Sequence, residues 1–154
     1  MNIEQRIIEF RHAPIDRKSQ RPGDKFLGFW IYIKTFAMQG SRRRQIKQCT
    51  SYLHKFFETG ELAEIIAENP EQAWSAIAEQ CYESAKLLIE TCLKDRNYGS
   101  KFFNLMPLKS EELELKIEGD RDLIVDIIQA TDFPQKGLIT QSYQRGYRTV
   151  MEKV

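Results

Sequence analysis

The sequence predicts an all-α fold, a single-domain irregular helical bundle of five to six helices. Three observations lead there. Apolar residues recur every three or four positions along most of the chain. Gly, Pro and Asn-Pro steps cut that pattern into segments of helical length. The one run that alternates as a strand would, residues 112–119 (ELELKIEG), has no convincing second strand to pair with. A chain of 154 residues is one domain long. At that size a hydrophobic core holds without disulfide or metal staples.

The elements follow in order. Residues 3–12 form a short helix with Ile3, Ile7 and Ile8 on one side. Residues 13–24 (APIDRKSQRPGD) hold two prolines and a glycine among polar residues and read as a flexible basic connector. Residues 1–24 are thus an N-terminal arm, and 25–154 the helical domain. A buried-type helix spans about 25–39. Its apolar core, residues 26–38, is interrupted only by Gly28, Lys34 and Thr35. As a helix it covers about 20 Å, short of the roughly 30 Å of a bilayer core. Lys34 near its middle also argues against a membrane.

The next helix runs to about residue 58, with Ile46, Cys49, Leu53, Phe56 and Phe57 at helical spacing. Gly60 is a stop signal, and 61–68 form a short helix. Asn69-Pro70, with Gln72 three residues after the Asn, is the strongest helix start in the chain. Beyond it Trp74, Ala78, Cys81, Ala85, Leu88 and Cys92 turn one face inward, and the small members predict a close helix crossing. Asn97-Tyr98-Gly99 is a turn, and Phe102, Phe103, Leu105, Met106 and Leu108 are expected to plug the core. Ser110 caps a helix favoured over the strand reading of 111–118, with Gly119-Asp120 as a break or an interior step. Leu123, Ile124, Ile127 and Ile128 continue it to about 131. After a break at 131–134, the last helix covers about 137–153 with Tyr143 and Tyr147 on its apolar face. Gly146 in its middle predicts close approach of a neighbour, since glycine there otherwise costs about 1 kcal/mol.

The net charge of +1 names no partner, but its distribution is uneven. Residues 1–60 carry +7, residues 61–130 carry −8 and the remainder +2. These blocks can neutralise one another within one fold, meet across a dimer, or leave a basic surface free for an anion. Three cysteines, Cys49, Cys81 and Cys92, make no disulfide framework. The first residues, MNIEQRIIEFRHA, lack the apolar run of a secretory signal, and the expected compartment is the cytoplasm.

Motifs that carry chemistry are few. Cys81 and Cys92 would lie about 16 Å apart along one helix, too far to share a zinc ion. No CxxC, HxxxH, HExxH, GxSxG or phosphate-cradling glycine loop occurs, and His12 and His54 read as surface or boundary residues. No metal or cofactor is expected. The many carboxylates, Asp120 among them, fall opposite the apolar stripes and read as a solvated face.

One cluster stands out: Ser41-Arg42-Arg43-Arg44 with Lys47. If Ser41 caps a helix, three arginines crowd its first turn, where positive charge meets the positive end of the helix dipole. Either the helix runs on through Gly40, or the site suits an anion such as a nucleic-acid backbone. No aromatic is interleaved with the triplet, so base stacking finds no support there.

Tyr98-Gly99-Ser100, Leu105-Met106, Leu108-Lys109 and Lys116-Ile117 resemble a family of small bacterial proteins of unknown function, of about this length. The resemblance covers residues 95–120 and implies a bacterial helical domain with no assigned activity. It transfers no functional residue. The expected function is therefore protein interaction or self-association, as a homodimer, without catalysis. One alternative is anion or nucleic-acid backbone binding through Arg42, Arg43, Arg44 and Lys47. The other is an enzyme or small-ligand-binding protein whose site assembles from distant residues.

Overall fold

The computed structural model describes residues 2–14, 23–94 and 110–153. Within them the chain is all-helical, with seven helices rather than the five to six expected: α1 (Ile3–Arg11), α2 (Lys25–Ala37), α3 (Arg42–Glu58), α4 (Gly60–Glu68), α5 (Pro70–Lys94), α6 (Ser110–Gln129) and α7 (Lys136–Met151). Both short helices expected from sequence, at 3–11 and 60–68, are present and bring the count to seven. The turn at 97–99, the apolar plug at 102–108 and most of the basic connector lie outside the described residues.

Side-chain caps mark several helix starts. Asn2 accepts from the Gln5 N–H (2.8 Å), Asp24 from Leu27 (2.9 Å), Ser41 from Arg44 (3.3 Å) and Asn69 from Gln72 (3.3 Å). Gly40, with φ +75°, ends the α2 segment in a conformation that glycine adopts without strain. The Gln45 amide donates back to the carbonyls of Ala37 (3.1 Å) and Gly40 (3.3 Å) and closes that corner. Gly60, read from sequence as a stop, is also the first residue of α4. Residues 111–118 are helix, and Gly119-Asp120 sits within α6 rather than breaking it.

Helix α2 is deeply buried and packs against α1, α3, α5 and α6. Phe26, Phe29, Trp30 and Ile33 are fully buried. The Trp30 indole donates to the Cys81 carbonyl of α5 (3.0 Å) and its ring lies 4.8 Å from Tyr143 of α7. Phe29 meets Phe56 and Phe57 of α3, and Phe57 meets Trp74 of α5 and Phe133. Burial holds the Cys49 and Cys92 thiols up at about 12, and raises Cys81 as well, so all three are inert core groups at neutral pH.

The same helix carries a charge into the interior. Lys34 and Asp120 of α6 are both nearly sealed from solvent, with side chains 5% and 2% exposed, and their Nζ and Oδ2 stand 3.2 Å apart. Lys116, one turn before Asp120, approaches its other oxygen at 3.4 Å. Burial pushes the Lys34 ammonium down to about 8, while Asp120 works to hold it up. Sequence pattern places Asp120 on the solvated face; the structure corrects this, because Lys34 draws it inward. Glu61, Glu64, Glu68, Glu71 and Glu79 are exposed as expected.

Helices α5 and α7 form the close crossing that small residues predict. A Cβ on Gly146 would lie 3.1 Å from the Ala85 methyl, 3.1 Å from the Lys86 backbone nitrogen and 3.3 Å from the Tyr82 carbonyl. Two of those atoms are backbone, so the helices would have to part. Tyr82 also hydrogen-bonds Thr149 (3.2 Å) and lies under the Arg145 guanidinium (3.9 Å to the ring centre). Gly119, also inside a helix, has nothing within 4 Å of such a Cβ. Gly146→Ala should therefore cost about 1–2 kcal/mol, overpacking outweighing the gain in helix propensity. Gly119→Ala should add about 0.5–1 kcal/mol. Urea unfolding of the two variants is expected to shift in opposite directions; equal shifts would contradict the crossing.

Candidate functional site

Helix α3 begins with cations. Ser41 does cap it and Gly40 does break the chain before it, so Arg42, Arg43 and Arg44 occupy the first turn. The alternative of one continuous helix through Gly40 is thereby removed. All three arginines are exposed, as are Lys47 and Lys55 further along. Among the described residues none of these five forms an ion pair.

Other members of the basic block do find acids of the acidic block or its flank. Arg6 pairs with Glu68, Lys34 with Asp120, and His54 bridges Glu58 (2.7 Å) and Asp132 (3.2 Å). Among the described residues, neutralisation thus covers part of the basic block and stops short of the outer face of α3.

A groove of about 540 Å³ runs along that face. It is lined by Phe36 from the end of α2 and by Arg44, Lys47, Gln48, Ser51, Tyr52 and Lys55 of α3. Residues 44, 47, 51 and 55 are spaced by three or four and so share one helix stripe. The Arg44 stem folds back over Gly40, where a Cβ would meet its Cδ at 3.3 Å. The groove wall is mainly apolar, as the long stems of lysine and arginine make it.

Tyr52 is the hub of the aromatic side. Its ring lies 5.9 Å from Phe29, 5.8 Å from Phe36, 5.9 Å from Phe56 and 5.6 Å from Tyr32. Burial, with Tyr32 beside it, pushes its phenol up to about 12, so it stays a neutral hydrogen-bonding group. Tyr32 is 57% exposed. The arrangement can hold an anion at the cations and present aromatic and hydrogen-bonding groups to whatever carries it.

Of the four residues singled out from sequence, Arg44 and Lys47 line the groove, while Arg42 and Arg43 stand outside it at the helix start. Lys55, Gln48, Ser51, Tyr52 and Phe36 were missed. The three-and-four spacing from Arg44 to Lys55 is the signal that finds the α3 members. The expectation that no aromatic accompanies the cluster needs amendment: Phe36 arrives from the preceding helix and Tyr52 from two turns further on. Among the described residues no group of three or more His, Cys, Asp or Glu is placed to hold a metal ion, and no helix is long and apolar enough to cross a membrane.

Residues 1–135, which include every residue of the groove, match the family described as a family of unknown function (DUF6553). The chain belongs to that family. The resemblance to a small family without an assigned activity therefore holds, and membership of DUF6553 supplies no substrate or partner. No curated protein and no solved structure matches the chain.

His54 shares α3 with the groove but differs from its cations in having acids beside it. Hydrogen bonds donated by its ring N–H groups to Glu58 and Asp132 favour the imidazolium and raise its pKa above the ordinary 6.5. A raised folded value means that the contribution is fully present below 6.5 and is lost as pH climbs through the folded pKa. His54→Gln should remove that decline. Urea midpoints measured between about pH 5 and about pH 9 test it, and an unchanged pH profile in the variant would refute the link.

Proposed function

We propose that this protein is a binding module whose ligand is a polyanion seated in the α3 groove. The observation that carries the reading is the set of five cations on α3 without acidic partners among the described residues, three of them lining one cavity. Lone lysines and arginines on a solvated face are ordinary. Here Arg44, Lys47 and Lys55 share a concave wall with Ser51, Gln48 and two aromatic rings, and the dipole of α3 adds positive potential at the Arg42–Arg44 end. The acidic remainder of the chain confines an anion to this face.

Inorganic polyphosphate is the simplest probe, because it offers charge and nothing else. Calorimetric titration at low salt should show binding that weakens steeply as salt is added. The Arg44→Ala, Lys47→Ala and Lys55→Ala triple variant should lose most of the affinity, and the salt slope should fall by about one unit per cation removed. Absence of binding by the wild type at low salt, or an unaltered triple variant, would sink the proposal.

Self-association is a second reading, favoured by α6. Leu115 is 68% exposed and Leu123 lies two turns further along, on a face flanked by Glu111, Glu112, Glu118 and Asp122. Apolar side chains so open to water suit a covered face. Light scattering on the wild type should give a dimer mass that falls to a monomer mass in Leu115→Asp. A monomeric wild type at high concentration removes this reading without touching the first.

A further inference from the structure

We propose that the polyanion of the α3 groove is a single-stranded nucleic acid, its phosphates met by Arg44, Lys47 and Lys55 and one of its bases stacked on Tyr32. The inference rests on the anion-binding reading and goes further by naming the ligand class. Its independent support is the aromatic side of the groove.

Tyr32 is the most exposed aromatic ring named on this face, and it is not a loose one. Its ring centre lies 5.6 Å from that of Tyr52. Tyr52 is in turn fixed by Phe29, stacked at 23° between planes, and by Phe36 and Phe56. A π-face backed by packed rings loses little conformational freedom when a ligand covers it. Tyr32 belongs to α2, whose Phe29, Trp30, Ile33 and Lys34 are buried, so the platform is mounted on a helix packed into the core.

Tyr32 itself stands outside the groove lining, and the cations share that lining with Tyr52, the ring it packs against. From Arg44 to Lys55 is eleven residues of helix, about 16 Å, which follows a strand past more than one phosphate. Ser51 and Gln48 lie between them and supply hydrogen-bonding groups at the level of sugar and base edges. Charge repeated along a line and a planar face to one side are together the two features of a single strand. A duplex presents the charge but keeps its base faces stacked inside, out of reach of Tyr32. An acidic peptide satisfies the lysines but has no obligatory planar group at each charge. The ring therefore favours a single strand over either.

The test uses the full chain and fluorescence anisotropy at low salt with four labelled probes: oligo-dT, oligo-rU, a duplex of equal length and a poly-glutamate peptide. Both single strands should bind, with duplex and peptide at least about tenfold weaker. Three phosphate contacts give a slope of log K against log salt of about −2. Tyr32→Ala should weaken single-strand binding by about tenfold and leave that slope unchanged, since stacking releases no counterions. Tyr32→Phe keeps the ring and should keep the affinity. Lys47→Ala with Lys55→Ala should instead flatten the slope by about 1.4. A preference between oligo-dT and oligo-rU supports the inference and assigns the natural strand as DNA or RNA. Equal binding of the duplex or of poly-glutamate overturns it, as does a Tyr32→Ala variant that is correctly folded by circular dichroism and binds like the wild type. Either of those outcomes leaves the polyphosphate result standing, whereas loss of all polyanion binding removes both readings.

Discussion

The ammonium of Lys34 lies inside the protein, and much of what surrounds it is arranged to keep it there. Removing a charge from water costs several kcal/mol unless a counter-charge and hydrogen-bonding groups replace the solvent. Asp120 supplies the counter-charge from the middle of α6, and Lys116 balances the carboxylate from the other side. Such a pair adds little net stability compared with apolar residues of the same size, but losing one partner strands the other at a cost of about 3–5 kcal/mol. Its effect is to fix position. Only one placement of α6 along α2 brings Asp120 to Lys34, just as only one placement of α5 brings the Cys81 carbonyl to the Trp30 indole. With both neighbours held, α2 presents Tyr32 and Phe36 to α3 at a set angle, and the groove follows from that.

The charge asymmetry of the chain acquires a meaning once the folded pairs are known. Arg6, Lys34 and His54 spend their charge on acids far away in sequence, tying the basic block to the rest of the molecule. Among the described residues, the outer face of α3 takes no part in this. It is a strip unpaired among the described residues, on a chain whose remaining residues are net acidic, and that contrast makes it more than a basic patch on a basic protein.

Much of the architecture was legible in the sequence because its causes are local. Asn69-Pro70 starts α5 through groups within four residues, and Ser41 starts α3 in the same way. The crossing of α5 and α7 was legible too, since Gly146 and Ala85 each signal close approach by lacking a large side chain. Asp120 was misplaced because its partner is on another helix, 86 residues away, and nothing near either residue marks the match. The groove was half legible: Arg44 and Lys47 drew attention by clustering, whereas Phe36 joins them only after the chain turns at Gly40. Periodicity shows which side of a helix faces inward; it does not show which neighbour it will face.

Near the N-terminus, Arg11 bonds Asp24 (2.9 Å) and Gln80 (3.0 Å), and the Ser84 hydroxyl reaches the same carboxylate (3.0 Å). The Gly23 N–H meets the Ala13 carbonyl at 3.2 Å. The two chain ends on either side of residues 15–22 are therefore pinned together by α5, whatever lies between. Closing a loop whose ends are already held costs only about 0.6 kcal/mol for each doubling of its length. An affinity tag or a reporter domain inserted between these two pinned points would thus be anchored on both sides, with α1 and α2 still held on α5.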